Sequence, residues 1–111
     1  MKDYNFKNLQ NAEHLGFDSQ SDQLYEECSE LIQAVNKYKR VAVRGNGTGF
    51  EEWCHVIEEI GDVEVMLEQI KHLLGINQVY VEQVKKQKIF KTAEDIKRGV
   101  YDTQEERKQV E

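Results

Sequence analysis

Apolar residues recur along this chain at helical spacing. Leu24, Cys28, Leu31, Val35 and Tyr38 are separated by alternating steps of four and three. At 3.6 residues per turn, that alternation draws one stripe along a helix. Val56, Ile60, Val63, Leu67, Ile70 and Leu74 repeat the pattern. These two stripes predict a second helix, opening at an N-cap of Asp18 or Ser19 and running to about Arg40, and a third, starting after Thr48 or Gly49 and ending at Gly75. A short first helix is expected over residues 6–15, stopped by Gly16. A fourth, capped by Asn77, is expected to run to about Arg98; Val81, Val84, Ile89, Ala93 and Ile96 give it a less regular apolar side. There is no proline, so breaks must come from glycine and capping residues. Gly45-Asn46-Gly47-Thr48-Gly49 reads as a flexible connector able to cover a ligand; it lacks the Lys-Ser/Thr ending of a P-loop. The polar tail, residues 101–111, is expected to fray or to pack on a partner subunit. The expected architecture is all-α, a four-helix bundle in one domain over 1–111, with its core at about 17–98.

Composition narrows the function classes. At 111 residues the chain suits one domain with a modest core. No apolar run is long enough to span a bilayer, and the first residues lack the hydrophobic centre of a signal peptide. No membrane association is expected, and the location expected is the cytoplasm. A net charge of −6 argues against a nucleic-acid polymer as partner. The charge is uneven: residues 51–68 are acidic and 85–91 basic, which suits a small anionic ligand held between a cation and a basic helix. Cys28 and Cys54 form no Cys-x-x-Cys pair and read as reduced thiols.

The acids carry the candidate chemistry. Glu27 and Glu30 are three residues apart on the second helix, and Glu59 and Asp62 three apart on the third. Residues at that spacing share a helix face. Both pairs lie beside the apolar stripes, so antiparallel packing of those stripes would bring four carboxylates together at the rim of the core. Two like charges about 4 Å apart repel by about 4 kcal/mol at an effective dielectric near 20. A hard divalent cation offsets that best, and oxygen-only ligands suit Mg²⁺, with Mn²⁺ as a substitute. Gly61, between Glu59 and Asp62, costs a helix up to about 1 kcal/mol relative to alanine and reads as a point of close helix approach. Glu26, Glu51, Glu52, Glu58, Glu64 and Glu68 read as solvating charges.

These motifs resemble a known family. Glu26-Glu27-Cys28-Ser29-Glu30 is similar to the EExxE motif of MazG-like nucleotide pyrophosphohydrolases, and Glu59-Ile60-Gly61-Asp62 to their ExxD motif. The resemblance implies the all-α NTP pyrophosphatase fold and Mg²⁺-dependent hydrolysis of an NTP or dNTP to the monophosphate and pyrophosphate. It also implies a homodimer or homotetramer. Carried over by position, Glu27, Glu30, Glu59 and Asp62 become the metal ligands and catalytic set.

Other residues are candidates for contacting substrate. Lys37 is two turns beyond Glu30 on nearly the same face. Lys85 and Lys88 share a face of the fourth helix and suit the β- or γ-phosphate. Trp53 and Phe50 suit stacking on a base, and His55 is one turn before Glu59. Two rival readings stand beside the hydrolase. A di-iron carboxylate bundle needs two Glu-x-x-His motifs, and this chain has one, Glu52-Trp53-Cys54-His55. The other rival is a non-catalytic helical module that binds a nucleotide or a protein partner through a degenerate site.

Overall fold

The computed structural model describes residues 3–110. Among them there is no strand, and the elements are α1 (Asp3–Leu15), α2 (Phe17–Tyr38), α3 (Phe50–Leu74), α4 (Gln78–Lys97) and α5 (Gln104–Val110). A π-helical turn, Lys39–Val43, prolongs α2. The chain is therefore all-helical, with one short helix more than the four expected. Residues 1, 2 and 111, the ends of the expected single span, lie outside the described residues. No described helix is long and apolar enough to cross a membrane.

The described residues divide into two compact units, one ending at Ile76 and the other beginning at Asn77. In the first, α1, α2 and α3 pack on one another. Gly16 separates α1 from α2 with φ of 86° and serves as the N-cap of α2 without a side-chain bond. The expected Asp18 or Ser19 caps are inside the helix instead, because Gln20 N–H reaches the Gly16 carbonyl at 3.0 Å and starts the helix earlier. Gly75, at φ 67°, ends α3 in the left-handed conformation that glycine adopts at least cost.

The α2–α3 pair is antiparallel. Gln20 Nε2 donates to Gln69 Oε1 at 2.7 Å, deep in the contact, and Gln69 Nε2 donates to Asn8 Oδ1 of α1 at 2.8 Å. Two further links join α1 to α3: His72 Nε2 and Glu13 Oε1 at 2.7 Å, and Asn8 Nδ2 donating to the Val65 carbonyl at 3.2 Å. The inner face of α3 is Glu59, Val63, Met66 and Gln69; that of α2 includes Gln20 and Ala34. The apolar stripes are kept in part. Val63 is buried and Leu24, Cys28, Leu31, Tyr38, Val56 and Ile70 are half-buried, while Val35, Ile60, Leu67 and Leu74 are exposed. The polar pair Gln20–Gln69 and the acids share the contact between the helices with them.

The connector lies close against the π-turn. A side chain at Gly45 would meet the Arg40 and Val41 carbonyls at 2.9 and 2.8 Å. Gly49 is buried, has φ of 76°, and leaves no room for a Cβ against Ala42. Three glycines in five residues let the chain lie against its own π-turn, which Arg44 N–H closes on the Lys39 carbonyl at 3.1 Å.

In the second unit, Asn77 caps α4 by accepting from Val79 N–H at 2.9 Å. Asp95 is buried and ion-paired to Lys91 at 2.8 Å and Arg98 at 3.6 Å. The tail does not simply fray. Thr103 and Glu106 form a reciprocal capping box, with Glu106 N–H on Thr103 Oγ1 at 3.2 Å and Thr103 N–H on Glu106 Oε2 at 3.0 Å, which starts α5.

Candidate metal centre

Antiparallel packing sets the acids of α2 against those of α3. Moving three residues up α2 from Glu27 reaches Glu30, and moving three down α3 from Asp62 reaches Glu59, so the pairs oppose each other. Glu27, Glu30 and Glu59 each offer a carboxylate oxygen, and these oxygens lie within 4.8 Å of one another. The cluster lies between α2 and α3. Glu59 is only 7% exposed, and Glu27 and Glu30 are half-buried. Asp62 is exposed and stands at the edge, about 60° around the helix from Glu59.

Polar satisfaction is incomplete here. Gln23 Nε2 donates to Glu27 Oε1 at 2.7 Å, and His55 Nε2 lies 3.2 Å from Glu59 Oε1. Glu27 Oε2 and Glu59 Oε2 are buried and have no hydrogen-bond partner among the described residues. Buried polar atoms in folded proteins nearly always find a partner, so two orphan oxygens facing one cluster call for a ligand.

The electrostatics agree. The Gln23 hydrogen bond pulls the Glu27 carboxyl down, but burial and the charges of Asp62 and Glu30 outweigh it and hold its pKa above the ordinary value. Burial first, then the charges of Glu59 and Glu26, push Glu30 up. The donor set is oxygen only, and a hard divalent cation fits it: it would take up the orphan oxygens and favour the ionised acids.

Beside the cluster is an open cleft of about 510 Å³. Glu30, Gln33, Ala34 and Lys37 line it from α2, and Glu51, Glu52, His55 and Glu59 from α3. Lys37 is its one lysine or arginine, so a phosphate entering the cleft would meet both that ammonium and any bound cation.

Several sequence expectations change. Trp53 is not part of the cleft. It is about 120° around α3 from Glu59, half-exposed, and stacked on Phe50 with centroids 6.0 Å apart. Gly61 has nothing within 4 Å of an added Cβ, so it marks no close approach of α2. Glu51 and Glu52, read as solvating charges, line the cleft; Glu52 is two turns before Glu59, a spacing that could have revealed it. Gln23 was missed as well, although it is one turn before Glu27. Lys85 and Lys88 belong to the second unit, where Lys85 pairs with Glu82 at 3.4 Å and Lys88 is exposed. Both cysteines are free thiols. Compared with known proteins, the chain matches no protein-family model, no curated protein and no solved structure, so the geometry of this cluster and its cleft stands as the ground for any functional reading.

Proposed function

We propose that this protein is a Mg²⁺-dependent nucleoside triphosphate pyrophosphohydrolase, cleaving an NTP or dNTP to the monophosphate and pyrophosphate and acting as a homo-oligomer. The observation that carries the reading is the pair of orphan buried oxygens, on Glu27 and Glu59, within a three-carboxylate cluster beside a cleft of nucleotide size. The motif resemblance supplies the reaction class.

Glu27, Glu30 and Glu59 would hold the cation, with Asp62 completing the set from the edge. A bound Mg²⁺ supplies charge neutralisation at the phosphate oxygens and lowers the pKa of a bound water. Lys37 orients the phosphate chain from the α2 wall of the cleft. Hydrolysis forms a bond from water oxygen to phosphorus and breaks the bridging P–O bond between the α and β phosphates, and pyrophosphate leaves. The proton lost by water passes to a carboxylate.

The test is a panel of NTPs and dNTPs with Mg²⁺, followed by detection of pyrophosphate. Release from at least one nucleotide, lost when Glu59 is changed to Gln, is the expected result. If no nucleotide yields pyrophosphate while Mg²⁺ still raises the melting temperature, the chain binds the cation without this activity, and the hydrolase reading fails.

A further inference from the structure

The cleft beside the acid cluster has two unlike ends. Hydrogen bonding sets Gln20 of α2 level with Gln69 of α3, and the cluster sets Glu30 level with Glu59. The same antiparallel register puts Lys37 level with Glu52, on opposite walls of the cleft. Both stand seven residues from the cluster, roughly 10 Å along the helices. Glu51 adds a second carboxylate at this outer end. Neither Glu51 nor Glu52 has a hydrogen-bond or ion-pair partner among the described residues.

Helix direction separates the lysine from these acids. A helical side chain leans toward the N-terminus of its own helix. Because α2 and α3 run in opposite directions, Lys37 leans back toward the cluster, and Glu51 and Glu52 lean away from it toward the open end. The inner end thus combines a lysine with the acids that suit a cation. There Glu59, only 7% exposed and with one orphan oxygen, points to a ligand. The outer end presents two carboxylates, which when ionised only accept hydrogen bonds. Phosphate oxygens would be repelled there, and hydrogen-bond donors would be held.

We infer that the outer end seats the base of the nucleotide and that Glu52, supported by Glu51, selects a base carrying an amino group, guanine above all. The inference rests on the nucleotide reading of the cleft. It directs the β and γ phosphates to the cluster and sets Lys37 on the chain nearer the α phosphate. Guanine has two adjacent donors, its ring N–H and its amino group, which match the two oxygens of one carboxylate. Cytosine and adenine offer one amino group beside a ring nitrogen that only accepts. Uracil and thymine offer one ring N–H between two carbonyl oxygens, so a carboxylate that takes the N–H also meets an acceptor.

The experiment is calorimetric titration of the full chain, in Mg²⁺, with the α,β-methylene analogues of GTP, CTP, ATP, UTP and dTTP. The methylene bridge blocks cleavage, so binding is read apart from turnover. The guanine analogue is expected to bind tightest, and the uracil and thymine analogues at least about tenfold more weakly. Glu52→Gln, whose amide donates as well as accepts, should close most of that gap by weakening the guanine analogue and strengthening the uracil one. The rise in melting temperature with Mg²⁺ should persist in this variant, which leaves Glu27, Glu30 and Glu59 in place. Equal binding of all five analogues, or a preference for uracil or thymine, overturns the inference and leaves the hydrolase reading standing. A gap that survives both Glu52→Gln and the double change with Glu51→Gln overturns the assignment to these acids. If no analogue binds, both readings fall. The expected preference without pyrophosphate release from GTP upholds the base seat and removes the hydrolase.

Discussion

At the scale of single residues, Glu59 is the most informative side chain. It is the most buried acid of the cluster, one of its oxygens is an orphan, and the other lies 3.2 Å from His55 Nε2. Replacing it by glutamine keeps the shape and removes the charge. We expect Glu59→Gln to lower pyrophosphate release by about 100-fold or more, while the metal-free melting temperature stays level or rises, because a repelling charge has gone from the cluster. A large fall in that temperature would instead mark Glu59 as a structural residue. Glu27 and Glu30 give a pH prediction whose sign follows from their raised pKa values. Each binds its proton more tightly in the folded chain than in the unfolded one. The stability this provides is complete below the ordinary glutamate value of 4.5 and is lost as pH rises through the raised values. Metal-free protein should therefore melt at a higher temperature just below pH 5 than at pH 7, to the extent these two groups dominate. Saturating Mg²⁺ should reverse the slope, since the cation needs the ionised acids. Thermal melts across this range, with chelator and with Mg²⁺, check both halves.

At the scale of the elements, two glycines separate what the sequence made legible from what it did not. The helix-forming stretches were legible, because apolar periodicity, Asn77, Gly16 and Gly75 mark where α2, α3 and α4 start or stop. Which face of α3 turns inward was not. Of its stripe, Val63 is buried and Val56 and Ile70 half-buried, but Ile60, Leu67 and Leu74 are exposed, and a period of 3.6 cannot say which side of a broad stripe meets the neighbouring helix. The acids were legible as two i,i+3 pairs, and the structure brings three of them together between α2 and α3. Gly61 and Gly49 turn this difference into a measurement. Gly61 has open space around it in mid-helix, so Gly61→Ala should stabilise the protein by up to about 1 kcal/mol. Gly49 has positive φ and Ala42 and Tyr38 against it, so Gly49→Ala should destabilise by about 1–3 kcal/mol. Urea titrations of both variants, read at constant m-value, give the two signs. Were Gly61→Ala the more damaging of the two, α2 or another helix would have to approach α3 where the structure leaves it open.

At the scale of the whole molecule, the first unit combines a small apolar core with a costly acidic cluster. Its buried apolar residues include Ala12, Ala34, Val63 and Met66, and no large side chain among the described residues is fully buried. A core of that kind leaves little stability in reserve, so anything that binds only the folded chain should shift its melting strongly. For a cation at one hundred times its dissociation constant the gain is about 2.7 kcal/mol, which for a domain of this size raises the melting temperature by roughly 10 °C. Mg²⁺ and Mn²⁺ are both expected to give such a shift, chelator to reverse it, and Glu59→Gln to abolish it. Ile60→Asp provides the control. It is exposed on α3, so it should leave the Mg²⁺ increment intact. If the increment survives Glu59→Gln, the cation acts elsewhere than among Glu27, Glu30 and Glu59. If neither cation moves the melting temperature of the wild-type chain, the orphan oxygens need another partner, and the case for phosphate chemistry at this cluster falls with them.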